Sequence, residues 1–259
     1  MDLFGISDAR FFAFVLVVLR TASLFAFAPV YSSPFVPAQV KAAAVLGLSL
    51  GMTALGVVPE VAVPATVAGV AGLAAQEVVL GLLIGFVARL VFAAVQFGGQ
   101  LVGFQMGLGI VSVMDPQFET QISVVSQLKF MIALLLFLAV GGDRLLVEAF
   151  GRNLAALPPG HLEISGPVVR VLVALSGEVF RLGLMLAAPV AGALFGAQVI
   201  LGVFARSVPQ MNMLILGFPL QILIGFTVLA LSLPYWSRAF LRALAEMIQA
   251  LAGLGRLLG

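Results

Sequence analysis

Long apolar runs without any charged residue most constrain the fold of this 259-residue chain. They extend over Thr21–Val40, Leu182–Ala205 and Ser207–Ser237. A helix needs about 20 apolar residues to cross the ~30 Å hydrocarbon core of a bilayer, and each run is long enough. The composition agrees, because only 9% of the residues are charged, whereas a soluble domain has about 25%. The sequence therefore predicts an integral membrane protein with several spans.

Polar and proline-rich segments divide the chain into six predicted hydrophobic helices. The first four are placed at about Asp8–Ala28, Lys41–Val58, Thr66–Phe97 and Asp115–Ala139, and the last two flank the interruption ARSVPQMNM. The region from Phe150 to Gly166 is predicted to be the one extended polar loop. These features indicate an all-α, polytopic integral membrane protein of about six long hydrophobic helices, forming a single domain over residues 1–259.

The C-terminal segment, residues 238–259, has the pattern of an amphipathic helix. Polar side chains recur at helical spacing at Arg238, Arg242, Glu246 and Gln249, and apolar residues fill the other side. We expect this helix to lie on a surface. That surface is either the membrane interface or, as an alternative, a soluble partner.

Glycine spacing predicts that some helices pack tightly against other helices. Small residues four positions apart let helix backbones approach closely inside a membrane, where no hydrophobic effect drives association. This spacing occurs at Gly47/Gly51, Gly81/Gly85 and Gly192/Gly196, and along Gly99, Gly103 and Gly107.

Four charged residues are predicted at membrane depth: Glu77, Arg89, Lys129 and Arg206. An ionised side chain at mid-bilayer costs about 2.5–3.5 kcal/mol, so these groups should face protein or water. Glu77 and Arg89 are roughly 18 Å apart along one predicted helix, too far to pair directly. Each charge therefore needs another partner, and both a structural role and a role in lining a conduit stay open. Glu178 and Arg181, three residues apart, can pair within one helix.

The stretch GGQLVGFQMGLGIVSVMDPQ, from Gly98 to Gln117, is both apolar and rich in glycine. Each glycine weakens a helix by roughly 1 kcal/mol relative to alanine, so the backbone from Gly107 to Met114 should leave helical geometry easily. Irregular backbone at membrane depth survives only inside protein or beside a water-filled cavity. We interpret the stretch as a plug that seals a pore, followed by a helix that starts at Asp115-Pro116. The alternative is an ordinary re-entrant turn. The gate residues are Gly107, Gly109, Ile110, Val111, Val113, Met114, Asp115 and Pro116.

Enzyme chemistry finds little support in the sequence. The chain has no cysteine and one histidine, which leaves little material for redox or zinc chemistry. No H-E-x-x-H, G-x-S-x-G or Walker lysine motif occurs. We therefore expect neither catalysis nor a cofactor. A secondary transporter is the alternative from another class, because broken helices and buried charges also mark substrate sites.

Two motifs carry a resemblance to a known family. GFQMGLGIVSVMDPQ (Gly103–Gln117) and RSVPQMNMLILGFPLQI (Arg206–Ile222) resemble the flagellar biosynthesis protein family FliR, and the similarity extends over essentially the whole chain. The spacing of Pro29, Pro34, Pro37 and Lys41, the helix with Glu77, Gly81 and Gly85, and the ALPPG sequence also fit. Within the second motif, Pro209, Gln210, Met211 and Asn212 are interpreted as a turn between the last two helices, with cargo contact as the alternative.

The resemblance implies more than the physical reasoning does. FliR-like proteins form the export gate of the type III secretion apparatus with FliP-like and FliQ-like subunits, next to an FlhB-like subunit. The implied location is the bacterial inner membrane at the flagellar basal body, and the implied cargo is unfolded flagellar protein. The family's plug corresponds to about Gly107–Glu119, and some hydrophobic helices are expected to be buried in the assembly above the bilayer. A gate subunit of a virulence-type secretion system remains the alternative.

Overall fold

The regular structure is entirely helical in the computed structural model, which describes residues 7–33, 36–108, 123–162, 166–207 and 213–258. These residues contain seven helices: α1 (Asp8–Phe27), α2 (Ala38–Ala54), α3 (Val67–Gln105), α4 (Val124–Ala139), α5 (Gly142–Ala156), α6 (Gly166–Ser207) and α7 (Met213–Leu258). The all-α prediction is confirmed, and each of the six predicted hydrophobic helices is present. The fourth begins at Val124, after the non-helical Ser123, and does not run continuously from Asp115 as predicted.

Local sequence explains where the first helices begin and end. The backbone N–H of Arg10 donates a hydrogen bond of 3.2 Å to Ser7 Oγ at the start of α1. Asp8 in the first turn also interacts favourably with the helix dipole. The helix ends at Phe27, shortly before Pro29, and α2 begins directly after Pro37. Prolines thus separate the first two helices, as the sequence predicted.

Helix α5 was not predicted, and part of it lies where the sequence predicted a polar loop. Residues 150–156 are helical and belong to α5, so the predicted loop does not begin before Leu157. The helix is polar on average, but Leu146, Ala149, Phe150 and Leu154 are buried along one of its faces. Gly141, with φ +69°, separates α5 from α4. Mean hydropathy hid this helix, because its apolar residues occupy only one side.

Four helices of the described chain are long and apolar enough to cross a membrane: α1, α3, most of α6 and most of α7. A fifth crossing results if α4 and α5 together count as one broken span. Helix α2 has 17 residues, which gives a length of about 25 Å, less than the hydrocarbon core. By this measure the described chain has four or five candidate crossings among its hydrophobic helices.

The C-terminal amphipathic segment is the last part of α7 and not a separate helix. Pro234 lies inside α7 and costs one backbone hydrogen bond without ending the helix. On its apolar side, Phe240, Leu244, Met247 and Leu251 are buried within the chain. This side of the segment therefore packs against protein.

The chain divides into two compact units. Unit 1 comprises residues 1–90, 138–175 and 245–259, and unit 2 comprises residues 91–137 and 176–244. One core cluster of unit 1 contains Ala13, Val17, Val58 and Leu154. A cluster in unit 2 contains Val102, Met106, Val125, Ala187, Val190, Leu194 and Leu229. Each unit thus combines helices that are distant in sequence, and the single domain over residues 1–259 stays a prediction.

Candidate functional site

The candidate site lies in unit 2, where the end of α3 meets the start of α4. A Cβ atom on Gly99 would lie 2.5 Å from the Cα of Ser126, and one on Gly103 would collide with Ser123 Oγ. Real Cβ atoms do not approach other atoms so closely, so only glycine permits this separation. Ser126 Oγ donates a hydrogen bond of 2.9 Å to the carbonyl of Gln96. We call Gly99, Gly103, Ser123 and Ser126 the glycine joint.

The glycine joint brings together Gly103 and Ser123, which flank the predicted plug in the sequence. Gly103 lies in the last turn of α3, and Ser123 directly precedes α4. The chain therefore leaves the joint and returns to it at nearly the same point. Gly109, Ile110, Val111, Val113, Met114, Asp115 and Pro116 lie outside the described residues.

Gly107 ends α3 in the way that glycine commonly ends helices. Its φ is +79°, its N–H donates to the carbonyl of Phe104, and the N–H of Leu108 donates to that of Gly103. This pair of bonds is the Schellman motif, which satisfies the last carbonyls of a helix. A Cβ at position 107 would also collide with the ring of Phe218. Gly107, one of the predicted gate residues, therefore fixes the point at which the chain leaves α3.

The glycine series differ in what they contact. Gly81 and Gly85 pack against α1 in unit 1, where a Cβ on Gly85 would lie 2.7 Å from Phe27 Cβ. Together with Gly99 and Gly103, they confirm the predicted close approach of helices. Added Cβ atoms at Gly47, Gly51, Gly192 and Gly196 would meet nothing within 4 Å. These four positions are open in the described chain.

Glu77 forms a fully buried ion pair with Arg20 in unit 1. Arg20 Nε lies 2.5 Å from Glu77 Oε2, Nη2 lies 2.9 Å from Oε1, and both side chains are 0% exposed. Arg20 Nη1 donates to the carbonyl of Leu157 at 2.8 Å, and the backbone N–H of Gly160 donates to Glu77 Oε1 at 3.3 Å. The pair therefore ties α1 and α3 to the turn after α5.

Sequence reasoning predicted that Glu77 needs a partner but did not find Arg20. Arg20 is the one charged residue between Arg10 and Lys41, in the middle of the first apolar helix. The sequence contained one indication of this pair: a lone basic residue in one apolar helix and a lone acidic residue in another.

Lys129 is 4% exposed in unit 2. Its Nζ donates a hydrogen bond of 3.1 Å to the carbonyl of Leu186 in α6. That carbonyl lies in the turn before Pro189, where α6 lacks one backbone donor. The ammonium group thus contacts α6 beside its proline.

The other predicted polar sites are distributed differently. Arg89 and Arg206 are exposed in the described chain. Glu178 and Arg181 form the predicted ion pair, which is also exposed. The turn motif Pro209, Gln210, Met211 and Asn212 lies outside the described residues, between the end of α6 and the start of α7.

An open groove of about 680 Å³ lies in unit 1, between residues of α2 and α5. Burial and, to a smaller extent, the negative charge of Asp143 raise the pKa of Tyr31 on its wall. Glu148 and Arg152 on the opposite wall pair with each other at 2.6 Å. In the described ranges, no three His, Asp or Glu residues come together as they would in a metal site.

Comparison with known proteins identifies the family. The family model of bacterial export proteins, family 1, matches residues 11–247. The flagellar biosynthetic protein FliR of Escherichia coli K12 is 31% identical over 220 residues, which cover 84% of this chain and 82% of the relative. FliR of Pectobacterium carotovorum is 31% identical over 219 residues, covering 83% and 82%. FliR of Bacillus subtilis is 32% identical over 160 residues, covering 61% and 62%.

These matches extend over most of the chain and most of the relatives. The family comprises protein-export components and is not an enzyme family. The chain therefore belongs to the FliR family of bacterial export proteins and is a helical membrane subunit of the flagellar export apparatus.

Proposed function

We propose that this chain forms part of the wall of the flagellar protein export channel and provides a plug, about Gly107–Glu119, that closes the channel between cargo molecules. The glycine joint carries the proposal. It brings together Gly103 and Ser123, the described positions that flank the plug segment in the sequence. A segment anchored in this way can move without displacing the helices on either side.

The plug acts by packing and exclusion of water, without catalysis. Ile110, Val111, Val113 and Met114 are apolar, and an apolar constriction stops ions because water leaves it. The Schellman motif at Gly107 fixes the direction in which the chain leaves α3. The helix ends thus give the segment a rigid base, and the chemistry of the segment makes the seal.

The partners in this function are FliP-like and FliQ-like membrane subunits and an FlhB-like subunit. The location is the bacterial inner membrane at the flagellar basal body, and the cargo is unfolded flagellar protein. Energy for transport comes from other components, because this chain is proposed to supply only wall and plug. The helices of this chain that do not cross the bilayer pack against these subunits.

A gate subunit of a virulence-type secretion system and a secondary transporter are the competing functions. The three relatives named above are all flagellar biosynthetic proteins, which favours the flagellar function. A transporter needs a substrate site with convergent polar groups. The buried charges described above instead form closed contacts, Arg20 with Glu77 and Lys129 with a backbone carbonyl.

Deletion of the gene in its source cell tests the function. We expect hook and filament subunits to disappear from the culture medium and to return when a plasmid supplies the gene. Intracellular levels of both subunits serve as the control for synthesis. Normal secretion and swimming in the deletion strain would overturn the export function.

A further inference from the structure

In unit 1, helix α3 has one covered and one uncovered face. Leu80, Gly81, Ile84 and Gly85 are buried on the covered face, against the rest of the chain. The uncovered face contains Ala75, Val79, Leu82, Phe86 and Arg89, which recur every three or four residues and are exposed or half-buried. We call these five residues the Arg89 face. It is apolar except for one guanidinium group.

The charge of Arg89 makes the hydrocarbon core of a bilayer an unfavourable environment for this face. The part of α3 that follows Arg89, Leu90–Gln105, is shorter than the roughly 20 residues that a helix needs to cross the bilayer core. Arg89 itself lies roughly 33 Å from the start of α3 and roughly 24 Å from its end. Arg89 thus lies well inside α3. Charged residues within membrane spans face protein or water and usually pair.

The described part of the chain supplies no counter-charge for Arg89. Its ion pairs join Arg10 with Glu60, Arg20 with Glu77, Arg152 with Glu148, and Arg181 with Glu178. The guanidinium of Arg89 is in none of them and is exposed. A carboxylate that neutralises it therefore lies outside the described residues, because Arg keeps its charge at any physiological pH. The exposed position of Arg89 favours a carboxylate of another molecule.

The covered face of the same helix shows how such a contact is built. There α1 packs against Gly81 and Gly85, and its Arg20 forms a bidentate pair with Glu77. The Arg89 face likewise has one charged group among apolar side chains, of the opposite sign to Glu77, and it contains no glycine. Val79 and Phe86 are each 37% exposed and provide apolar contact area beside the guanidinium.

We propose that the Arg89 face docks an apolar helix of a second membrane subunit, and that this helix has a carboxylate at the depth of Arg89. The planar guanidinium holds a carboxylate through two parallel hydrogen bonds, which fixes the register of the two helices. The proposal rests on the export function above only in expecting the partner among the gate subunits.

Photo-crosslinking in the source cell tests this docking. Phe86 is replaced by the photoreactive amino acid p-benzoylphenylalanine, which keeps an aromatic ring at the position. Illumination of membranes should give one discrete adduct with a membrane polypeptide other than this chain. Mass spectrometry should place the adduct in an apolar segment with Asp or Glu within about two helical turns of the crosslinked residue.

The charge dependence of the adduct is the decisive measurement. Arg89→Leu should reduce the adduct at least about tenfold, since about 1.4 kcal/mol corresponds to a factor of ten in an equilibrium constant. Arg170→Leu, which removes another exposed arginine of unit 1, should leave it unchanged. Arg89→Glu should abolish the adduct, and replacement of the partner's carboxylate by Lys should restore it in that variant.

Several results would overturn the docking. They are an adduct with lipid alone, an adduct with a second copy of this chain, a partner segment without an acidic residue, and an adduct that survives Arg89→Leu. If Arg89→Leu lowers the amount of the chain, the charge exchange with Arg89→Glu decides instead. Arg89→Lys keeps the positive charge and should retain most of the adduct.

The crosslink and the export function can fail separately. The adduct is scored without reference to secretion, and secretion is assayed in the gene-deletion strain. Normal secretion in the deletion strain together with a charge-dependent adduct would overturn the export function and keep the docking. Loss of secretion in that strain together with a charge-independent adduct would overturn the docking alone.

Discussion

At the residue scale, the Arg20–Glu77 pair shows that a charged residue inside an apolar chain needs a partner to be stable there. Both side chains are fully buried, and both bond to backbone groups near the end of α5. Loss of one partner leaves the other charge buried and unpaired, at a cost of about 3–5 kcal/mol. We therefore expect Glu77→Leu to reduce the amount of folded chain, its assembly and export.

The double variant Arg20→Met/Glu77→Leu separates a structural role from a role in the channel. An apolar pair of similar volume often restores or exceeds the stability of a buried ion pair. Folded yield, assembly and swimming should then return towards normal if the pair only joins helices. A double variant that folds and assembles but does not export would show that the charge itself serves transport. A Glu77→Leu single variant with normal yield and motility would refute the predicted cost.

Lys129 differs from Glu77, because its buried ammonium has one neutral acceptor in the described chain and no ion pair. Desolvation of a lone charge costs several kcal/mol, more than one hydrogen bond returns. We expect Lys129→Met to leave the thermal unfolding temperature of the chain in detergent unchanged or raise it, by about 2–4 °C for each kcal/mol gained. A fall of that size would indicate that a carboxylate neutralises Lys129 in the folded chain. Lys129→Arg is the control that keeps the charge.

At the scale of helices, the glycine joint sets the distance between α3 and α4. A Cβ on Gly99 would meet backbone atoms of Ser126, which cannot rotate away. We expect Gly99→Ala to separate the two helices and to cost about 1–3 kcal/mol, although alanine is the better helix former. Thermal unfolding of the purified chain in detergent measures this.

Gly192→Ala is the matched control for Gly99→Ala. Both glycines lie inside long helices, but an added Cβ at position 192 meets nothing within 4 Å. Its effect should be neutral or stabilising by about 0.4–1 kcal/mol. Equal effects of the two substitutions would show that the close contact at the joint is absent.

At the scale of the whole molecule, the plug should be separable from assembly. The helices on either side pack in the joint, so deletion of Gly107–Met114 is expected to leave the chain able to assemble. The closed channel should then leak ions or small molecules, which uptake of a membrane-impermeant dye or loss of the membrane potential measures.

A variant of normal length is the control for the plug deletion. Ile110→Asn/Val113→Asn keeps the backbone and makes the segment polar, so water can enter the closed channel. It should leak as well, but less than the deletion. Unchanged permeability in cells that contain an assembled deletion variant would contradict the plug.

Sequence by itself determined the all-helical class, the membrane location and the helices before and after Pro29–Pro37. These follow from local physics: apolar length, proline, and glycine spacing act on the chain wherever it lies. It did not determine where the helices beside the gate end and begin, because α3 extends past Phe97 to Gln105 and α4 begins at Val124. Hydropathy averages missed α5, because a one-sided apolar pattern in a polar helix does not raise the mean. They also could not tell six hydrophobic helices from four or five membrane crossings.

Tertiary structure alone decided which distant groups meet. Arg20 and Glu77 are 57 residues apart, and so are Lys129 and the carbonyl of Leu186. No spacing rule within one helix can join such pairs, because each contact depends on how separate helices pack. The same packing decided that Gly81 and Gly99 face a neighbouring helix while Gly192 faces open space. Identical glycine motifs thus have different roles, because the fold determines how much space lies beside each glycine.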